Sequence, residues 1–141
     1  MTVMKKALRV IIFWLPPLAL MGLIFYLSSQ PAFAVSPKDW LNFLVFKSLH
    51  FLEYALLFIL WHRALKNTID KPSSFLWSAL IAFTWAVIDE IHQLYVPTRQ
   101  GSLRDIIIDS LGILFGVLCL WIILPKAPKR LKLWAEKLAL I

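Results

Sequence analysis

The chain has one cysteine, Cys119, four glycines and few charges: only 16% of its 141 residues are Asp, Glu, Lys or Arg. A lone cysteine excludes an internal disulfide framework, and inside an apolar run it reads as a small packing residue. Soluble domains of this length carry about 25% charged residues. With 60% hydrophobic residues and a mean hydropathy of +0.75, the chain has too little polar surface to dissolve alone. Acidic residues are also scarce, eight against fifteen basic, for a formal charge of +7. Such an excess can signal nucleic acid. Here the basic residues flank apolar runs, as they do in membrane proteins, and no nucleic-acid partner is expected. No repeat, low-complexity segment or long linker is present.

What is present is four apolar stretches, at about 10–27, 44–65, 75–96 and 103–124. Each is close to the roughly 20 residues needed to cross a hydrocarbon core. The expected fold is all-α: a membrane bundle of four transmembrane helices over residues 1–124, then a basic tail at 125–141. With the N-terminus inside, the inner segments hold Lys5, Lys6, Arg9, Arg63, Lys66, Lys71, Lys126, Lys129, Arg130, Lys132 and Lys137. The outer side keeps Lys38, Lys47, Arg99 and Arg104. Eleven against four predicts that the N- and C-termini are both cytoplasmic. Lys5-Lys6, the first apolar run and Ala32-Phe33-Ala34 also imitate a cleavable signal, but the run is longer than a usual signal core. Pro16-Pro17 removes two backbone donors and should kink or loosen the first helix. In the tail, Leu131, Trp134, Leu138 and Ile141 at helical spacing among lysines predict an amphipathic helix lying on the anionic inner leaflet. Trp40, Trp61, Trp77 and Trp121 read as interfacial belt residues, and Trp85 as packing.

The polar residues inside the spans carry the functional signal. They are Lys47, His50, Glu53 and Tyr54 in the second; Asp89, Glu90, His92 and Gln93 in the third; Arg104, Asp105 and Asp109 in the fourth. All fall in the same half of the bilayer, and the other half is almost purely apolar. A carboxylate at depth costs about 2.5–3.5 kcal/mol on insertion scales, so these groups must face one another or a wet cavity. Helical phase puts Lys47, His50 and Tyr54 on one face, with Glu53 beside them. It likewise aligns Ser78, Ala82, Ala86, Asp89 and Gln93, and Asp105, Asp109, Gly112 and Gly116. Gly112-x-x-x-Gly116 is a close-packing pattern in membranes. Five carboxylates then meet three fixed cations, Lys47, Arg99 and Arg104. One carboxyl should hold its proton, a histidine carry charge, or a cation bind.

Lys47-x-x-His50-Phe51-x-Glu53-Tyr54, Asp89-Glu90-x-x-Gln93, Pro97-x-Arg99-x-x-Ser102-x-x-Asp105 and Gly112-x-x-x-Gly116, in that order, resemble the VanZ-like family. Phe25-Tyr26-Leu27-Ser28-Ser29-Gln30 fits the same pattern, so the likeness spans roughly residues 20–118. Asp109 departs from it, since the family often has Asn there. The resemblance implies a bacterial cell-envelope protein, and through the family's founding member a link to low-level resistance to the glycopeptide teicoplanin.

Several assignments remain open on the residues alone. Asp89, Glu90 and Gln93 are a site or a buried network holding helices together. Arg99 clamps a phosphate or carboxylate, or pairs with Asp89, Glu90 or Asp105. Arg104 reads as an interfacial charge. Ser102 with Asp105 matches a capping box, whereas Asp109 lies too deep to cap. His50 and Glu53 could join Asp89 or Glu90 around a metal, but no metal-binding spacing occurs and neither a metal nor another cofactor is expected. His92 should face the interface, and His62 reads as structural.

The leading expectation is a pocket formed by Lys47, His50, Glu53, Tyr54, Asp89, Glu90, Gln93, Arg99, Asp105 and Asp109 that binds an amphiphile. Its partners would be membrane lipids and a lipid-linked envelope precursor or lipoglycopeptide. The head would meet Arg99 and Lys47. The alternatives are a membrane-embedded hydrolase or transferase and a proton- or ion-coupled transporter. In the enzyme, Asp89 or Glu90 would be the base, His50 the proton partner and Arg99 the stabiliser of developing charge. No nucleophile motif or phosphate cradle supports it. The apolar inner half gives a transporter no polar path. Oligomeric state is not legible.

Overall fold

A computed structural model describes residues 3–31, 36–69 and 73–140; of Val3 and Lys6 only the backbone is described. Ala32-Phe33-Ala34, Lys71 and Ile141 lie outside the described residues. The helices are α1 (Val3–Ser28), α2 (Asp39–Thr68), α3 (Ser74–Gln93), α4 (Leu103–Leu118), a short α5 (Leu124–Lys126) and α6 (Lys129–Lys137). A π turn, Cys119–Ile123, joins α4 to α5. Pro125 has no N–H to continue the α-ladder, and the Leu124 N–H reaches back five residues to the Cys119 carbonyl. Among the described residues, four helices are long and apolar enough to cross a membrane: Ala7–Ser28, Asp39–Thr68, Ser74–Gln93 and Leu103–Lys126. The protein is therefore a multi-pass membrane bundle.

Among the boundaries that differ from the sequence pattern, two have a plain physical reason. α2 starts at Asp39, ahead of the apolar run, because a polar first turn is tolerated outside the apolar zone. α3 stops at Gln93, and Leu94, Tyr95 and Val96 instead donate to carbonyls three residues back. Pro97 disfavours helical backbone at the residue before it, so the last turn tightens and ends. α1 runs unbroken through Pro16-Pro17, with the Pro17 ring buried.

α2 is the axis of the bundle and packs against α1, α3 and α4. Its large side chains Tyr54, Leu57, Phe58 and Trp61 are buried where the neighbouring helices present small ones: Ser78, Ala82 and Ala86 on α3, Gly112 and Gly116 on α4. The glycines bring two backbones together. A Cβ on Gly112 would overlap the Phe51 carbonyl oxygen, and one on Gly116 would lie 2.9 Å from the Ala55 carbonyl oxygen. Small residues matter here because lipid competes with apolar side chains, so close backbone packing holds membrane helices together. Trp61 is buried rather than at an interface, its ring 5.5 Å from Trp14 in a T-shaped contact. Trp40, Trp77 and Trp121 are exposed on the outside of the bundle. His62 packs against Phe75 in a tilted contact, ring centroids 4.1 Å apart.

At the end of the bundle that holds the α2 C-terminus, the tail folds back. Ala139 adopts a left-handed backbone, φ 55°, and Leu140 N–H donates to the Ala135 carbonyl, closing α6 with a Schellman turn. Arg63 Nε, Asn67 Nδ2 and Lys66 Nζ of α2 donate to the carbonyls of Leu138, Ala139 and Leu140 at 2.7, 2.8 and 3.4 Å. Two cations thus meet the negative end of a helix. Leu131, Trp134 and Leu138 stay exposed beside the lysines, the amphipathic surface expected of the tail.

Gly112→Ala is expected to lower unfolding stability in detergent by about 1–3 kcal/mol, the range for overpacking. Gly22→Ala, where an added Cβ meets nothing within 4 Å, should be neutral or slightly stabilising. Equal melting of the two variants would contradict the close contact between α2 and α4.

Candidate functional site

The C-terminal ends of α1 and α3 and the N-terminal ends of α2 and α4 share one end of the bundle, and every polar span residue singled out by sequence lies there. α3 contributes Asp89, Glu90 and Gln93, all buried. Gln93 is one turn beyond Asp89, so its amide donates to Asp89 Oδ2 at 2.9 Å and also approaches Glu90 Oε1 at 3.4 Å. From α1, the Ser28 hydroxyl donates to Asp89 Oδ1 at 2.5 Å. From the start of α4, Ser102 N–H donates to Glu90 Oε2 at 2.8 Å. Both carboxyls are thus held by neutral donors from three elements. Ser28 was legible only as part of a motif, because its reach to Asp89 spans 61 residues.

The capping box is half formed. Ser102 Oγ accepts from Asp105 N–H at 3.2 Å, but the Ser102 N–H goes to Glu90. The Asp105 carboxylate turns instead to α2, where Lys47 Nζ lies 2.7 Å from Oδ2. Arg104 Nε is 3.7 Å from its other oxygen and the guanidinium stacks over Phe43 at 4.8 Å. One α4 turn deeper, fully buried Asp109 faces His50 Nδ1 at 3.6 Å, longer than a hydrogen bond. Neither oxygen of Asp109 nor the buried Tyr54 hydroxyl has a hydrogen-bond partner among the described residues. These orphaned groups sit at the centre of the polar end. Among the described residues no three His, Cys, Asp or Glu side chains gather as a metal ion would require.

Arg99 makes none of the expected ion pairs. Its Nε donates to the Gln30 carbonyl at 2.8 Å and its Nη2 to the Leu27 carbonyl at 2.9 Å, capping the end of α1. His92, expected at the interface, is half-buried in the seam between α1 and α3. It stacks on Phe25 with centroids 4.1 Å apart, with Nε2 3.0 Å from Ser29 Oγ. The Ser28-Ser29-Gln30 segment therefore links α1 to α3 and to the 97–102 loop.

Beside this network lies a cavity of about 210 Å³ between α1 and α2. Its apolar wall is Ile24, Leu27, Phe46 and Leu49; its polar residues are Ser28, Gln30, His50, Glu53 and Arg99. Of the ten predicted site residues, His50, Glu53 and Arg99 line it. Asp89, Glu90 and Gln93 form the network behind it. Lys47 lines a separate groove with Phe43, Phe51 and Ile108, between α2 and α4. Tyr54, Asp105 and Asp109 are internal. The cavity had no clear sequence signal, since part of its wall belongs to α1, which carries no charge from Val10 to Ser28.

Lys47→Met should destabilise the protein by on the order of 3 kcal/mol, because it strands the largely buried Asp105. The double variant Lys47→Met/Asp105→Leu should recover most of that loss. Chemical unfolding in detergent reads both, and additive losses would show that the pair is not coupled.

One comparison with known proteins finds a match. The family model described as VanZ/LLP1 matches residues 13–124, which takes in α1 from its middle, all of α2, α3 and α4, and the π turn. Neither a curated protein nor a solved structure matches the chain significantly. The match covers most of the chain and every residue of the polar end, so the protein belongs to the VanZ-like family.

Proposed function

We propose that the protein is a VanZ-like envelope protein that holds the head group of an amphiphile in the cavity between α1 and α2. The apolar part of the ligand lies along the lipid-facing helix surfaces next to it. The observation that carries this reading is the cavity itself, where Arg99 and Glu53 open on one apolar-walled space. At about 210 Å³ it is smaller than the roughly 300–1,000 Å³ of pockets that enclose a whole drug-sized ligand, so it suits a head group. Lys47 is committed to Asp105, so Arg99 is the cation left for a phosphate or carboxylate. Asp89 and Glu90 stand behind the cavity with their oxygens occupied, which favours binding over acid–base catalysis.

A lipid-linked envelope precursor or a lipoglycopeptide such as teicoplanin fits this description, the latter by its lipid or carboxylate end only. The excess of Lys and Arg at the other end orients the cavity to the outer face of a bacterial inner membrane, with both termini in the cytoplasm.

Two measurements test this reading. In a Cys119→Ser background, Gln100→Cys should react with an impermeant maleimide on intact cells, and Glu136→Cys only after lysis; the reverse pattern would place the cavity inside. In a susceptible host, expression of the wild-type protein should raise the teicoplanin concentration needed to stop growth. Glu53→Gln should remove that rise at equal membrane abundance. Unchanged sensitivity with and without the protein would break the link to the drug.

A further inference from the structure

The charges at the polar end sort into two groups. Lys47 pairs with Asp105, His50 faces Asp109, and Asp89 and Glu90 take hydrogen bonds from Ser28, Gln93 and the Ser102 backbone. Two charges in the lining of the cavity are left over. Glu53, on α2, has no hydrogen bond or ion pair among the described residues although it lies within an apolar span. Arg99 is bonded only to carbonyl oxygens, so its full positive charge has no carboxylate partner and its Nη1 no acceptor among the described residues. The two are opposite in sign, yet they do not pair with each other. In a site walled by Ile24, Leu27, Phe46 and Leu49, an uncompensated carboxylate and guanidinium are costly unless something brings the complementary charges.

From this we infer, on the reading of the cavity as a head-group site, that its ligand is a compact zwitterionic lipid. A phosphate accepts hydrogen bonds from Arg99, and a primary ammonium a short distance away donates to Glu53. A phosphoethanolamine head has this composition, and its size suits the cavity. The planar guanidinium matches phosphate oxygens, and an ammonium offers three donors to the carboxylate and the neighbouring His50 or Ser28. An anionic lipid without an amine satisfies Arg99 and leaves Glu53 facing added negative charge. A simple alkylamine does the reverse. The acyl chain leaves along the apolar wall toward the bilayer.

The test uses the full-length protein in a maltoside detergent and native mass spectrometry of bound lipid. The probes are lysophosphatidylethanolamine, lysophosphatidylglycerol and an alkylamine of equal chain length. Wild type should retain the ethanolamine lipid about tenfold more tightly than either of the others, as one charge-assisted contact predicts. Glu53→Gln, which removes no internal hydrogen bond, should abolish the preference, weakening retention of the ethanolamine lipid and leaving that of the glycerol lipid unchanged or tighter. Equal retention of the two lysolipids by wild type, or a preference that survives Glu53→Gln, would overturn the zwitterion. If Arg99→Gln and Arg99→Lys then still lose or weaken the anionic lipid, the head-group cavity stands without it; if they change nothing, that reading fails as well. Displacement of the lysolipid by an equal concentration of free O-phosphoethanolamine would overturn a membrane lipid in favour of a soluble head.

Discussion

The backbone contact between α2 and α4 is the constraint on which the polar end depends. Gly112 lets α4 approach until the Phe51 carbonyl fills the space a side chain would take, and Gly116 repeats the contact one turn on. At that spacing, Asp109 and Asp105, one and two turns before Gly112, meet His50 and Lys47 of α2. Move the helices apart by a methyl group and the ion pair at 2.7 Å lengthens in a medium where charge separation is costly. The glycines therefore set the electrostatics as well as the packing.

A membrane protein must satisfy its polar groups from within, since lipid offers no hydrogen bonds. Here that is achieved by division of labour. α3 supplies carboxyls, α1 and the 97–102 loop supply neutral donors, and α2 and α4 trade charges across the glycine seam. At the polar end the division is incomplete at the buried Tyr54 and Asp109 oxygens, among other atoms, and in the cavity with Glu53 and Arg99. Unmet polar groups inside an apolar domain point to function more strongly than met ones, which explain themselves as structure. The opposite end shows the contrast. There Arg63, Lys66 and Asn67 close the carbonyls of α6, so these three side chains have a structural account.

The VanZ-like family match covers the residues that build the polar end. The segment from Phe25 to Gln30 reads as a weak motif in sequence, yet it contributes Ser28 to Asp89, Ser29 to His92, and the Leu27 and Gln30 carbonyls to Arg99. It ties α1 to the other helices at the mouth of the cavity. Arg99 thus holds the end of α1 and faces the cavity at once, so occupancy of the cavity bears on how α1 is secured.

Much of the architecture was legible in the chain because it follows from periodicity. Apolar length fixed the four spans, and helical phase aligned Ser78, Ala82, Ala86, Asp89 and Gln93, all of which are buried on one face of α3. The same holds for Asp105, Asp109, Gly112 and Gly116 on α4. Composition told that these polar residues must converge, since each alone is costly in lipid. Which group meets which was beyond it. Lys47 pairs with Asp105, Arg99 takes carbonyls rather than carboxylates, and Trp61 turns into the core rather than to an interface. Phase within one helix is a local property. Partner choice depends on how far apart two helices lie and how they are rotated, and side chains from all four helices set that together.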